Sequence, residues 1–236
     1  AGIVTAIELL EAGRSVLIVD RADESIFGGQ AREALGGMIF ADTPEQRRAG
    51  VKDTPDLLLE DWLRYTHLRD DQIWPRAWAR AYAERGTADV YHWLRGRGLR
   101  FLPVVTWAER GFAEPGNSLP RYLLVWGGGY GLATHMIEQL ASHKERLRLL
   151  FRHNVQGLLT TDGRVSGCRG VVEPDGREFE IHADATVVAT GGVGADLDRV
   201  RSLWPPAWGK APPTILVGAH QFSDGQLHDR VSDIGG

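Results

Sequence analysis

The hydrophobic pattern opens at helical spacing and then changes period. Ile3, Ile7 and Leu10 recur with Val4 and Ala6 beside them, which predicts an amphipathic helix leaving at Gly13. Val16 to Val19 is a continuous apolar run, the pattern of a strand covered on both faces, and Asp20 stands at its carboxyl end. The helical period returns from Thr43 to about Gly98. Thr43 is placed to cap Pro44 and Glu45, Asp56 to cap Leu57 to Tyr65, and a third helix is expected from Pro75 or Arg76 to Arg95, with Trp78, Tyr82 and Trp93 in a buried seam. Phe101 to Val105 and Leu123 to Trp126 read as short strands, and a helix follows the second of them to about His143.

Residues 147 to 182 switch to short β runs, with Asp162-Gly163 and Asp175-Gly176 between successive pairs. Those dipeptides suit tight hairpin turns, so a three-stranded antiparallel meander is expected over about 154–182. Ala185 to Ala189 then reads as a buried strand running into Thr190, Gly191, Gly192 and Gly194, and Asp224-Gly225 precedes a last helix. Helix, acid-tipped strand, glycine loop, helical insertion, strand, helix, meander, strand with a TGG turn: this succession fits an α/β class, a Rossmann-like flavin-binding domain.

The chemistry suggested by these elements is that of a dinucleotide site. In a βαβ unit the acid after the second strand holds an adenosine ribose about 20 residues beyond the glycine-rich turn, and Gly2 lies where the last glycine of that turn would stand before Asp20. The chain is therefore expected to begin inside its own fingerprint, with the first strand lying upstream. GGQAREALGGM, residues 28–38, carries two glycine pairs whose backbone can approach a ligand closely, although a mobile surface loop would have a similar composition. Gly127, Gly128, Gly129 and Gly131 open a helix in an arrangement that suits an anion, a substrate or a flavin, but no Gly-Lys-Ser/Thr follows as in a P-loop.

Composition narrows the class of partner. A net charge of −4 with a pI near 6.1 argues against nucleic acid, and no apolar run approaches the length of a membrane span. With a single cysteine, Cys168, no internal disulfide is possible; a reducing, cytoplasmic location is expected, with Cys168 a packed thiol rather than a nucleophile. The eight histidines show no metal-binding grouping, so no metal is expected. None of the three lysines has a tyrosine four positions before it, which excludes the short-chain nicotinamide dehydrogenase pattern.

GGQAREALGGM resembles the GGN-x-x-x-A-x-GGM stretch of the fumarate reductase and succinate dehydrogenase flavoproteins, VVATGG their ATGG turn, and SDGQLHDRVSDIGG their GDG-x-x-x-A-x-x-x-GA helix. Within that superfamily SLPRYLLVWGGGYGL and the tryptophan-rich insertion look most like FAD-binding dehydrogenases related to 3-ketosteroid dehydrogenases. The resemblance departs at His228 to Val231, where small residues are usual. It implies a glutathione-reductase-type FAD domain over 1–236, with the helical insertion at about 43–98, truncated at both ends and lacking its amino-terminal strand and carboxyl-terminal cap.

Residue by residue, the resemblance implies Gly2 under the pyrophosphate, Asp20 and Arg21 at the adenosine ribose, and Gly28, Gly29, Gln30, Gly36, Gly37 and Met38 along pyrophosphate and flavin. The Val155 backbone would meet adenine; Ala189, Thr190, Gly191 and Gly192 would flank the adenosine side, and Asp224 and Gly225 the flavin end. Gln30 stands where succinate dehydrogenases carry a flavin-linked histidine, so the FAD is expected to be noncovalent. The implied activity is C–C dehydrogenation, or ene reduction, next to a carbonyl, on a small molecule and with an electron acceptor that the residues do not name. Arg121 and Tyr122 are the substrate-contact candidates, and the catalytic acid and base are expected downstream of Gly236. A flavin monooxygenase and a noncatalytic FAD-binding module are the alternatives.

Overall fold

The structure, a computed structural model, describes residues 1–102 and 116–236. In chain order the elements are α1 (Gly2–Glu11), β1 (Val16–Val19), α2 (Gly29–Glu33), β2 (Gly37–Ile39), α3 (Pro44–Arg48), α4 (Pro55–Thr66), α5 (Ile73–Arg85), α6 (His92–Gly96), β3 (Tyr122–Leu124), α7 (Gly128–Leu140), β4 (Leu147–Leu150), β5 (His153–Thr161), β6 (Arg164–Val172), β7 (Glu178–His182), α8 (Leu197–Ser202) and α9 (Gln226–Ser232). They form two compact units, one made of residues 1–33 and 136–236, the other of the intervening residues 34–135. The second unit is wider than the helical stretch expected at 43–98.

In the first unit α1 buries Ala6, Ile7 and Leu10, the face its periodicity predicts, and each fully buried aliphatic side chain contributes about 1.5–3 kcal/mol. Gly13 leaves the helix at φ +81°, which spares a side chain the strain of the left-handed region. β1 pairs in parallel with β4, Val16 opposite Leu147 through Val19 opposite Leu150. The pairing extends through Asp20, whose N–H donates to the Leu150 carbonyl and whose carbonyl accepts from His153 N–H, so the acid's backbone is fixed. β5, β6 and β7 form an antiparallel sheet in that order, with a bulge between Val155 and Gly157. Asp162 and Gly163, at φ +51° and +74°, make the β5–β6 turn. α9 packs against β5. Cys168 is buried in β6, and burial raises its thiol above the ordinary range.

One predicted element of this unit does not form. Ala185 to Ala189 takes no regular secondary structure and joins no sheet among the described residues, leaving Val187 and Val188 59% and 36% exposed. A valine-rich run becomes a strand only beside a neighbour that takes its N–H and C=O groups, and no described segment pairs with it.

In the second unit β2 and β3 pair antiparallel, Gly37 opposite Leu124 and Ile39 opposite Tyr122. Ala79 and Ala83 let α5 lie close on Leu58 and Leu59 of α4, and Phe40, Tyr82, Tyr91 and Phe101 form an aromatic cluster with ring centroids 5.3–6.3 Å apart. The expected third helix exists but is broken: Gly86–Tyr91 is a π-turn joining α5 to α6. Its extra residue shifts the helical phase. Tyr82 and Tyr91 reach the core, whereas Trp78, at 74% exposed, lies outside the predicted seam.

Thr43 caps α3 in a reciprocal capping box with Gln46. The cap of α4 is Thr54, with Pro55 at the first helical position, rather than Asp56. Phe101 forms a single bridge to Val125, and the rest of the strand expected there, Val105 included, reaches beyond the described residues. No described helix is long and apolar enough to cross a membrane.

Candidate functional site

The site is built on the first unit, at the carboxyl end of β1. Asp20 is half-buried and one of its carboxylate oxygens accepts the Ala22 N–H at 2.8 Å, which leaves its second oxygen for a ligand hydroxyl. The neighbouring Arg21 reaches Glu173 at 2.9 Å and Asp224 at 3.0 Å, with its guanidinium 4.8 Å from the Phe222 ring centroid. Positions 203 residues apart are thereby joined. Asp224 spends its other oxygen on the Gln226 N–H at the start of α9.

α1 has no side-chain cap, so its leading N–H groups remain available as anion donors. A Cβ placed on Gly2 would lie 3.4 Å from the Ala189 side chain, so the start of α1 and the run into Thr190 are neighbours. Gly191 lies against Ser223, where a Cβ would come 3.2 Å from the hydroxyl. The Gly191 carbonyl lies 2.9 Å from Nε2 of His228. This contact accounts for the departure seen in the α9 sequence: a residue larger than usual ties α9 to the TGG turn. Gly225, at φ +73°, has no room for a side chain beside Val193.

The second glycine motif divides between the units. Gly28 and Gly29 have φ +123° and +57°, and a Cβ on Gly29 would meet nothing within 4 Å. The glycine backbone thus has open space beside it. Gln30 donates to the Gly218 carbonyl at 2.9 Å and accepts the His220 N–H. Gly36, Gly37 and Met38 lie in the second unit, where a Cβ on Gly36 would strike the Gly128 backbone at 2.5 Å and one on Gly37 the Tyr122 hydroxyl at 1.9 Å. Internal packing accounts for these two glycines.

The glycine cluster after β3 corrects its anion reading in the same way. Its N–H groups are engaged by the chain itself: Gly128 donates to Val125, Gly129 to Ala34 and Gly131 to Gly127.

Arg121 is likewise engaged by the chain itself. It is 1% exposed and grips Asp53 at 2.7 and 2.8 Å, Asp61 at 2.5 Å and Asn117 at 2.9 Å. Asp61 also accepts Arg64 and the Ser118 N–H and hydroxyl. Burial pushes its carboxyl up, but these bonds more than offset that and hold it at about 2. Arg121 is a strut joining the start of β3 to α4 and to the segment before it. Tyr122 pairs with Ile39 in the β2–β3 ladder, its hydroxyl over Gly37. Val155 sits beside the β5 bulge, opposite Gly170.

Sequence reasoning passed over Glu173, His220, Ser223 and the role of His228. Each acts through a partner far along the chain, His220 through Gln30 at a separation of 190, so no local spacing signals it. Among the described residues no cluster of His, Cys, Asp or Glu side chains is arranged to hold a metal.

An FAD fits the residues present: an open helix N-terminus for the diphosphate, a fixed carboxylate for a ribose, and free space at Gly29. Comparisons with known proteins agree. The chain is 38% identical to a KsdD-like steroid dehydrogenase of Mycolicibacterium smegmatis over 96% of its own length and 44% of the relative's. It is 25% identical to the cytochrome-type fumarate reductase of Shewanella frigidimarina over 87% of its length and 34% of that protein. The chain thus spans less than half the length of these relatives.

The open conformation of a flavocytochrome c3 fumarate reductase superposes with a TM-score of 0.68 at 18% identity, covering 98% of this chain and 43% of that one, so the α/β flavoprotein fold is shared. The FAD binding domain family model matches residues 1–226, and the chain therefore belongs to that FAD-binding flavoprotein family.

Proposed function

We propose that this chain is the cofactor-holding part of an FAD-dependent dehydrogenase or reductase acting on a C–C bond next to a carbonyl. One observation carries the reading: the uncapped start of α1, Asp20, the open Gly28-Gly29 turn, the TGG turn and Asp224 are gathered in one unit. The likeness to a KsdD-like steroid dehydrogenase and to a fumarate reductase supports it.

Bound FAD would supply the two-electron chemistry, taking or returning a hydride at N5. The chain's own residues bind and orient. The leading N–H groups of α1 would hold the diphosphate, and Asp20 would accept from the adenosine ribose. Gln30, already engaged with residues 218 and 220, cannot make the covalent flavin link that a histidine provides. The substrate is a small molecule.

The test is spectral and kinetic. Purified full protein is expected to be yellow, and acid precipitation should leave the flavin in the supernatant. Turnover should appear with an artificial electron acceptor and a ketone saturated at the neighbouring C–C bond, or in the reverse direction with an artificial electron donor and the carbonyl-conjugated alkene. Colour that stays with the pellet overturns the noncovalent assignment. Oxygen uptake coupled to NADPH oxidation would point to a monooxygenase instead, and a protein that takes up no FAD would end the reading.

A further inference from the structure

We propose that His220 is a cofactor-binding residue, donating a hydrogen bond from Nε2–H to an acceptor oxygen of FAD; this rests on the FAD reading above. His220 is 7% exposed. Its Nδ1 accepts the Phe222 N–H at 3.4 Å, and a ring nitrogen that accepts carries no proton. The proton of the neutral ring is therefore on Nε2, on the far side from Phe222. That atom is buried and has no partner among the described residues.

An orphaned buried donor is costly to a fold, roughly 1–3 kcal/mol, and a chain that keeps one has a reason to. The surroundings supply it. The residue's N–H is held by Gln30, next to the open Gly29 backbone, and its carbonyl accepts the Ser223 N–H at 2.8 Å. Ser223 in turn lies against Gly191 and precedes Asp224. Phe222, with its ring 5.6 Å from the imidazole, carries the Arg21 guanidinium on its face. The imidazole is thus anchored on both backbone sides by residues of the dinucleotide site while its buried Nε2 is unmatched among the described residues. FAD is rich in acceptors, in its diphosphate, its ribityl chain and its ring carbonyls, and meets that need.

Two substitutions separate this role from a structural one. In His220→Asn the amide oxygen can keep the Phe222 bond but the distal donor is lost; in His220→Gln the amide nitrogen replaces the distal donor. FAD affinity is read by flavin fluorescence on deflavinated full protein, and the melting temperature of the apoprotein is recorded beside it. The expected result is a loss of affinity on the order of 10- to 100-fold for Asn. Gln should stay within about threefold of the parent, on the same conversion of one hydrogen bond to affinity. Neither apoprotein should melt at a lower temperature. A parallel titration with ADP locates the contact: a matching loss assigns it to the diphosphate, and an unchanged ADP affinity assigns it to the flavin half. Equal FAD affinity in all three proteins, or a lowered apo melting temperature with no difference between Asn and Gln, overturns the role of His220 while leaving FAD binding intact. A parent protein that binds no FAD overturns the functional reading itself.

Discussion

Replacing Arg121 by Met tests whether the strut or the substrate reading is right. The arginine and its partner Asp53 have 0% side-chain exposure and Asp61 has 2%. In the variant Asp61 keeps Arg64 and Ser118, but among the described residues Asp53 keeps only the Gln46 amide at 2.8 Å and the Thr54 N–H at 2.9 Å. Asp53 thereby becomes a buried carboxylate without a cation. Breaking such a pair from one side costs about 3–5 kcal/mol, a large part of the roughly 5–15 kcal/mol that holds a domain folded. At about 2–4 °C per kcal/mol for a protein of this size, the melting temperature should fall by roughly 6–20 °C.

Arg121→Lys should lose less, because a point charge keeps neutrality but cannot serve Asp53 with two parallel bonds while reaching Asp61 and Asn117. Adding Asp53→Asn to the Met variant should recover part of the loss. The assay is urea unfolding followed by tryptophan fluorescence, with substrate KM measured on whatever remains folded. An unchanged unfolding midpoint together with a raised KM would refute the strut and restore Arg121 as a substrate contact.

Three further outcomes are expected. Asp61 has a folded pKa of about 2 against an ordinary 3.8, so its contribution is complete above the unfolded value and disappears as the pH falls from 3.8 toward 2. About 2 kcal/mol should be lost across that window, and urea midpoints of Asp61→Asn should lack that acid dependence. Gly29→Ala puts a side chain at φ +57° into open space: the apoprotein should lose about 1–2 kcal/mol in thermal unfolding, whereas FAD affinity should fall well beyond what that strain explains. Trp78→Gln should leave the melting temperature within about 2 °C, since a surface substitution is usually worth under 0.5 kcal/mol.

Reading the sequence went well where chemistry is local. The α1 face, the apolar β1 run with its acid, the Thr43 cap, the Asp162-Gly163 turn and the packed Cys168 each follow from residues a few positions apart. It went less well where a neighbour decides. The valines of 185–189 had a strand's composition, but a strand needs a ladder and none is offered to them. Trp78 had a core residue's chemistry, but Ala79 and Ala83 took the buried face of α5.

The glycines show the division most clearly. Composition alone marked residues 28–38 either as backbone able to approach a ligand closely or as a mobile surface loop. Only the tertiary structure decided what each glycine meets: open space at Gly29, the Gly128 backbone at Gly36, and a tyrosine ring at Gly37. The same holds for charge. The sequence placed Arg121 beside Tyr122 at a strand; the fold surrounded it with two aspartates from 68 and 60 positions away and made it structural. Local periodicity, capping and turn chemistry are properties of the chain's near neighbours and can be read along it. Burial, ion pairing and ligand space are set by long-range approach, and the sequence carries no signal for them until the chain is folded.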